Sequence, residues 1–283
     1  MRRPSLRGTA FYFFFAFALL LSVISAAVLA FLCFSTRARE VLEKLPFHRF
    51  WFSYPAASPK ESIACFWVLG AVVIISLFAA FSVLRARSMY MRSPVPALLY
   101  FIVYIFSVCM ESLRGPAIWL YAAGRAIPLI APISRAVYAS RFAGQLALLL
   151  TALAMLDMKY QKRLVLLGLL FLVSFAFAIS IPMDNTTFLS SFTFKLGDEQ
   201  GVGFADLALG VLTAAGMAAA GYVRKQGRFY LMAGASVLLF VGRQIISFTV
   251  PPVLLAAGPV LIAAGIVVFL MELGRVYGEP QSG

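Results

Sequence analysis

Charge is what this chain has least of. Only 12% of its 283 residues are Asp, Glu, Lys or Arg, against about a quarter in soluble globular domains. A water-soluble fold would lack the polar groups to cover its surface, which excludes that class. Histidine is nearly absent: His48 stands alone, so histidine-based metal sites and bis-histidine haem ligation are not expected. The cysteines, Cys33, Cys65 and Cys109, form no Cys-x-x-Cys pair and are odd in number, so they imply no disulfide framework. Cys109 reads as a buried, inert thiol. Neither a phosphate-binding loop nor a dinucleotide fingerprint occurs. Asp157, Asp184, Asp198 and Asp206 are too dispersed for an acidic metal motif, and the last apolar segment has no lysine for a retinal Schiff base. No cofactor and no metal is expected, and no catalytic constellation emerges.

What is present is apolar. Hydrophobic residues make up 62% of the chain, with 27 Phe. A membrane-spanning helix needs about 20 mostly apolar residues. Segments of that kind occur at 10–33, 62–84, 94–112, 137–156, 164–182, 203–223, 229–250 and 252–272. The expected fold is therefore all-α, a polytopic helical bundle of about eight transmembrane helices, with residues 1–283 as one integral membrane domain in a cell membrane. The first segment is too long for a signal-peptide core and lacks a small-residue cleavage site followed by a soluble domain, so it should be retained.

The net charge of +13 would suggest nucleic acid in a soluble protein. Here basic residues cluster at Arg2/Arg3/Arg7, Arg85/Arg87/Arg92, Lys159/Lys162/Arg163 and Arg224/Lys225/Arg228, before the first span or after even-numbered ones. Such clusters fix topology against lipid headgroups, so membrane lipids, and not nucleic acid, are the expected partners. With these clusters in the cytoplasm, that side holds 13 basic and 3 acidic residues and the other 11 and 8. The bias favours both termini inside.

Three outer segments follow. Residues 34–61 begin with a helix-compatible stretch and carry Phe47, Phe50, Trp51, Phe52 and Tyr54, an aromatic set suited to an interfacial helix. Residues 113–136 are apolar but interrupted by Arg125, Pro128, Pro132 and Arg135; they are expected to form an outer interfacial or re-entrant segment, the latter only under a protein cover. Residues 183–202 form the most polar loop, with a glycosylation sequon at Asn185-Thr186-Thr187.

The last six spans pair across short basic turns, which fits repeated hairpins or simply the positive-inside rule. Small residues concentrate at 214–221, 256–258 and 263–265. They suit close helix packing or, alternatively, a moving or substrate-lining surface.

Ionisable groups inside spans are expensive and mark sites or paired structural charges. Glu111 and Arg114 are three apart, and Arg141 and Gln145 are four apart on one helix face. Asp206 opens the sixth span, and Arg243-Gln244 lie in the outer half of the seventh. Alternating topology brings these groups to a common depth. Arg243 lies too far from the inner surface to snorkel there and should pair with Glu111 or Asp206, or snorkel outward. Arginines Arg114, Arg125, Arg141 and Arg243 outnumber the acids, and guanidinium groups bind carboxylate or phosphate bidentately. If the cluster is a site, its ligand is an anionic small molecule or a lipid headgroup. Gly258-Pro259 is a candidate helix break of the kind that forms transporter sites.

The expected function is a small transporter or permease-like protein for an anionic or amphiphilic small molecule. The alternatives are a membrane-embedded sensor or binding subunit acting with a membrane or cytoplasmic protein partner, a structural subunit of a membrane complex, and, least favoured, an intramembrane lipid-modifying enzyme.

Overall fold

The computed structural model describes residues 6–35, 61–124, 127–156, 163–189, 191–247 and 252–278. The elements run α1 (Leu6–Phe34), α2 (Glu61–Arg92), α3 (Pro96–Cys109), a 3-10 turn (Met110–Leu113), α4 (Arg114–Ala122), α5 (Ile127–Met155), α6 (Arg163–Ser180), β1 (Met183–Phe188), β2 (Phe194–Leu196), α7 (Glu199–Arg224), α8 (Arg228–Ser247) and α9 (Pro252–Gly278). Among the described residues, seven helical units are long and apolar enough to cross a membrane, and α6 supplies a shorter apolar helix. The protein is a multi-pass helical membrane protein.

One end of the bundle is basic. Arg87 of α2 lies over the Tyr12 ring of α1, 4.3 Å from its centroid. Ser93 Oγ donates to the Tyr277 carbonyl at 3.1 Å, and Arg228 Nη1 donates to the Arg275 carbonyl at 2.9 Å. These bonds gather the ends of α2 and α9 with the start of α8. Lys159 and Lys162 lie outside the described residues, as do residues 36–60 of the segment expected to form an outer interfacial helix.

The core joins α2, α3, α5, α8 and α9 through Val72, Phe101, Met155, Phe229 and Phe269, with the Phe101 and Phe269 rings stacked at 4.1 Å. The α8–α9 contact depends on glycine. A Cβ on Gly242 would stand 2.8 Å from the Gly258 carbonyl oxygen, and one on Gly258 would stand 2.8 Å from an Ile246 side-chain carbon. The small residues of α9 thus let two backbones approach closely. The break anticipated at Gly258-Pro259 is absent: α9 runs unbroken through Pro259. A proline inside a helix removes one ladder bond, and packing against α8 holds the axis together around that gap.

Residues 113–136 divide between two helices. Their first part forms α4, which closes a 27-residue apolar unit, Pro96–Ala122. Gly124, at φ +64°, provides the left-handed turn after it. Their last part is the start of α5, which begins at Ile127 and not at 137. Pro128 suits a first helical turn, where N–H groups have no intrahelical partner. Pro132, one turn on, forgoes one bond. Arg135, which argued against a span, points out to donate to the Ile179 carbonyl of α6 at 3.0 Å.

The polar stretch 183–202 is an antiparallel hairpin followed by the first turn of α7. Met183 pairs with Leu196, Asp184 with Lys195 and Phe188 with Phe194. Its hydroxyls satisfy the turn, while Phe188, Phe192 and Phe194 bury themselves against Leu32, Leu69, Ile118, Ile130 and Leu255. The Tyr138 hydroxyl of α5 lies 3.0 Å from Thr193 Oγ1, and Phe194 N–H donates to Ser134 Oγ at 3.3 Å. Asp198 caps α7 by accepting from Gly201 N–H at 2.9 Å. Hairpin and α4 together cap the end opposite the basic one.

Candidate functional site: a buried carboxylate among three arginines

The site begins with a defect in a helix. The sequence Ser112-Leu113-Arg114-Gly115-Pro116 cannot continue α3 undisturbed, because Pro116 has no N–H to give the Ser112 carbonyl. The chain tightens into a 3-10 turn at Met110–Leu113. The freed carbonyl is satisfied from α1, where Ser25 Oγ donates to it at 2.5 Å. A Cβ on Gly115 would collide with that serine, so glycine is what admits it. Short 3-10 stretches within helices recur at hinges. The interruption that sequence placed at Gly258-Pro259 lies instead here, at the capped end of α3.

This turn carries Glu111 inward. Glu111 is 2% exposed, Arg114 0% and Arg243 4%. Arg141 Nε donates to Glu111 Oε1 at 3.0 Å and its Nη2 to Oε2 at 3.3 Å, a bidentate pair. Arg243 reaches Oε1 through Nη2 at 3.3 Å and Nε at 3.4 Å. Arg114 Nη2 lies 2.5 Å from Oε2. One carboxylate therefore serves three guanidinium groups, from the 3-10 turn and its exit, α5 and α8.

Each arginine is also anchored by the backbone or by a ring. Arg243 Nη1 donates to Ser107 Oγ at 3.1 Å and Nη2 to the Ser107 carbonyl at 3.3 Å. Its Cζ lies 5.9 Å from the Tyr104 ring centroid, and that of Arg141 lies 5.2 Å from Tyr138. Arg114 Nη1 donates to the Ile246 carbonyl at 3.0 Å. Gly144 makes the space: a Cβ there would overlap Ser107 Oγ and Arg243 Nη1.

Asp206 takes a different partner from the one sequence considered. It accepts from the Gln244 amide, forming an α7–α8 pair, while Arg243 turns to Glu111. Gln145, one turn beyond Arg141, is 1% exposed, and neither of its amide atoms has a hydrogen-bond partner among the described residues. The Tyr104 hydroxyl and Arg114 Nε are likewise buried without one. Arg125 lies outside the described residues. Gly258 and Pro259 belong to the α8–α9 packing and not to the cluster.

Sequence reading missed Ser25, Tyr104, Ser107, Gly115, Pro116 and Gly144. Gly115-Pro116 was a usable signal, since the pair marks a break beside the one acidic residue of its span. The serines and Gly144 offered none, because their role depends on which helices touch.

The arrangement leaves an imbalance. Three guanidinium groups meet one carboxylate, and Asp206 is taken up by Gln244. Removing charges from water costs several kcal/mol per ion after relaxation, so an uncompensated cation there favours an anion strongly. Among the described residues, no group of His, Cys, Asp and Glu side chains is suited to a metal ion. No protein-family model and no curated protein sequence matches this chain.

Proposed function

We propose that the chain is a small permease-like transporter of the cell membrane that takes an anionic or amphiphilic small molecule at the Glu111 cluster. The observation that carries this reading is the excess of guanidinium over carboxylate at the buried Arg114 and Arg243 and the half-buried Arg141. A carboxylate or phosphate entering the cluster would displace Glu111 from one guanidinium and take up its two parallel N–H donors. The unpartnered Gln145 amide and Tyr104 hydroxyl supply further donors in the same region. The 3-10 turn beneath Glu111 is a place where the carboxylate can swing with little disruption of the flanking helices. With the basic clusters in the cytoplasm and both termini inside, the capped end faces outward, and the substrate enters from that side.

A second reading, a membrane-embedded sensor or binding subunit, gains support from the apolar packing of α4 and the hairpin at the same end of the bundle. Such a protein would bind without moving its ligand and would act through a partner. One experiment separates the two. Purified protein in liposomes is offered hexanoate and hexyl phosphate, with hexyltrimethylammonium as the cationic control. Transport predicts saturable uptake of an anion that Arg243→Ala reduces at least tenfold and Arg85→Ala leaves intact. Binding without uptake selects the sensor. Equal anion affinity in folded wild type and Arg243→Ala overturns both.

A further inference from the structure

At the basic end, α2 and α9 part around a cavity of about 930 Å³, near the upper limit of small-molecule pockets, about 300–1,000 Å³. Its walls are apolar: Phe78 and Phe81 from α2, Leu98 from α3, and Ile266, Leu270 and Met271 from α9. Its rim is cationic, with Arg85, Arg92 and Arg275. Arg275 is paired with Glu272 at 2.7 Å. Arg85 and Arg92 have no acidic partner among the described residues and are exposed.

The order along the helices matters. Both α2 and α9 run towards the basic end, and on both the apolar lining comes first and the arginines later. From Phe78 to Arg85 the rise is about 10 Å, and from Ile266 to Arg275 about 14 Å. The cavity therefore changes from apolar to cationic along the membrane normal, in one direction on both walls. Phe81 is 59% exposed and Met271 51%, so the cavity opens sideways between spanning helices, and its occupant arrives through the bilayer. A second copy of the chain would present the same basic rim and meet like charge.

We propose that this groove holds an anionic diacyl phospholipid of the leaflet at the basic end. Its phosphate lies between Arg85 and Arg92, with Arg275 alongside, and an acyl chain lies along Phe78, Phe81 and Leu270. Basic pockets between spanning helices suit anionic headgroups in general. The site is separate from the Glu111 cluster: Leu98, which lines the groove, and Glu111 are about 20 Å apart along α3.

The test uses full-length protein equilibrated with vesicles of equal phosphatidylglycerol and phosphatidylcholine, with retained lipid counted by native mass spectrometry. Wild type is expected to retain phosphatidylglycerol in preference to phosphatidylcholine. The double variant Arg85→Ala/Arg92→Ala should lose that preference at least fivefold, whereas Arg85→Lys/Arg92→Lys should keep most of it. Val267→Trp, which fills the groove and leaves the rim intact, should also lower retention. Arg243→Ala should not. Equal retention of both lipids by wild type overturns the proposal, as does an unchanged preference in the double alanine variant. Full retention in Val267→Trp would reduce the effect to surface attraction and remove the groove from it.

Discussion

The two ends of this bundle use the same residue in opposite ways. At the basic end, Arg85 and Arg92 stand exposed on the last turns of a helix. At the capped end, Arg114 and Arg243 are buried and are held by one carboxylate, backbone carbonyls and a serine. The first kind of arginine sets position and costs the fold little. The second kind, together with Arg141, ties the 3-10 turn, α5 and α8 to one carboxylate. Position relative to the membrane surface, not residue type, separates the two.

The contrast is broken most severely at Glu111. Glu111→Gln leaves three guanidinium groups facing an uncharged amide. Breaking a buried ion pair costs about 3–5 kcal/mol, and the thermal unfolding midpoint in detergent should fall by the largest margin of any single change here. An unfolding midpoint matching wild type would mean that the arginines do not depend on the carboxylate. Millimolar acetate should partly restore the variant, because it supplies the missing anion.

Gly144→Ala comes next. Its methyl group would overlap Arg243 Nη1 and Ser107 Oγ, and overpacking typically costs about 1–3 kcal/mol. Both stability and anion binding should decline, whereas Gly234→Ala, at a glycine with open space around it, should change neither. Similar losses at the two glycines would show that the cluster has no steric requirement of its own.

A smaller, local effect is expected at Asp184, where the hairpin begins. Its carboxylate accepts from Thr186 N–H at 2.9 Å and Thr187 Oγ1 at 2.6 Å. The Thr186 and Thr187 hydroxyl bonds hold its pKa down at about 2, below the ordinary 3.8. A depressed carboxylate pKa stabilises the folded state above the ordinary value, and that contribution is lost as pH falls through the folded one. Amide exchange at Thr186 should therefore stay protected down to pH 4 and rise specifically as pH approaches 2. The same rise in Asp184→Asn would dissociate it from this carboxyl.

Arg85→Ala is expected to have the smallest effect on the fold, within about 0.5 kcal/mol, as for most exposed substitutions. A fall in the unfolding midpoint as large as that of Gly144→Ala would erase the distinction between the two ends.

Much of the capped-end cluster is legible in the sequence. Glu111, Arg114, Arg141 and Arg243 stand out because charge is so scarce, and alternating helices must bring them to one depth. The pairing was not legible. Glu111 or Asp206 could each have taken Arg243, and the outcome follows from the 3-10 turn and the gap at Gly144. The hairpin was hidden for a related reason. Residues 183–202 look like a solvated loop by composition, yet three phenylalanines fold inward once β1 and β2 pair. Pro132 and Arg135 misled in the opposite direction. A proline one turn into a helix costs a single bond, and an arginine at a membrane-facing end can find a carbonyl.

The sequence by itself determined the class of molecule: unbroken apolar runs of about 20 residues, with charge confined to segment ends and a few internal positions, satisfy their backbone in lipid as helices rather than as the short alternating strands of a barrel. It also determined which residues would be costly to bury. Only the tertiary structure decided how that cost is met, because the partners of Arg243 come from α3 and its 3-10 exit, far away in the chain. Contacts between helices depend on side-chain volumes at their crossings, and a single hydrogen atom at Gly144, Gly242 or Gly258 sets how close those helices come.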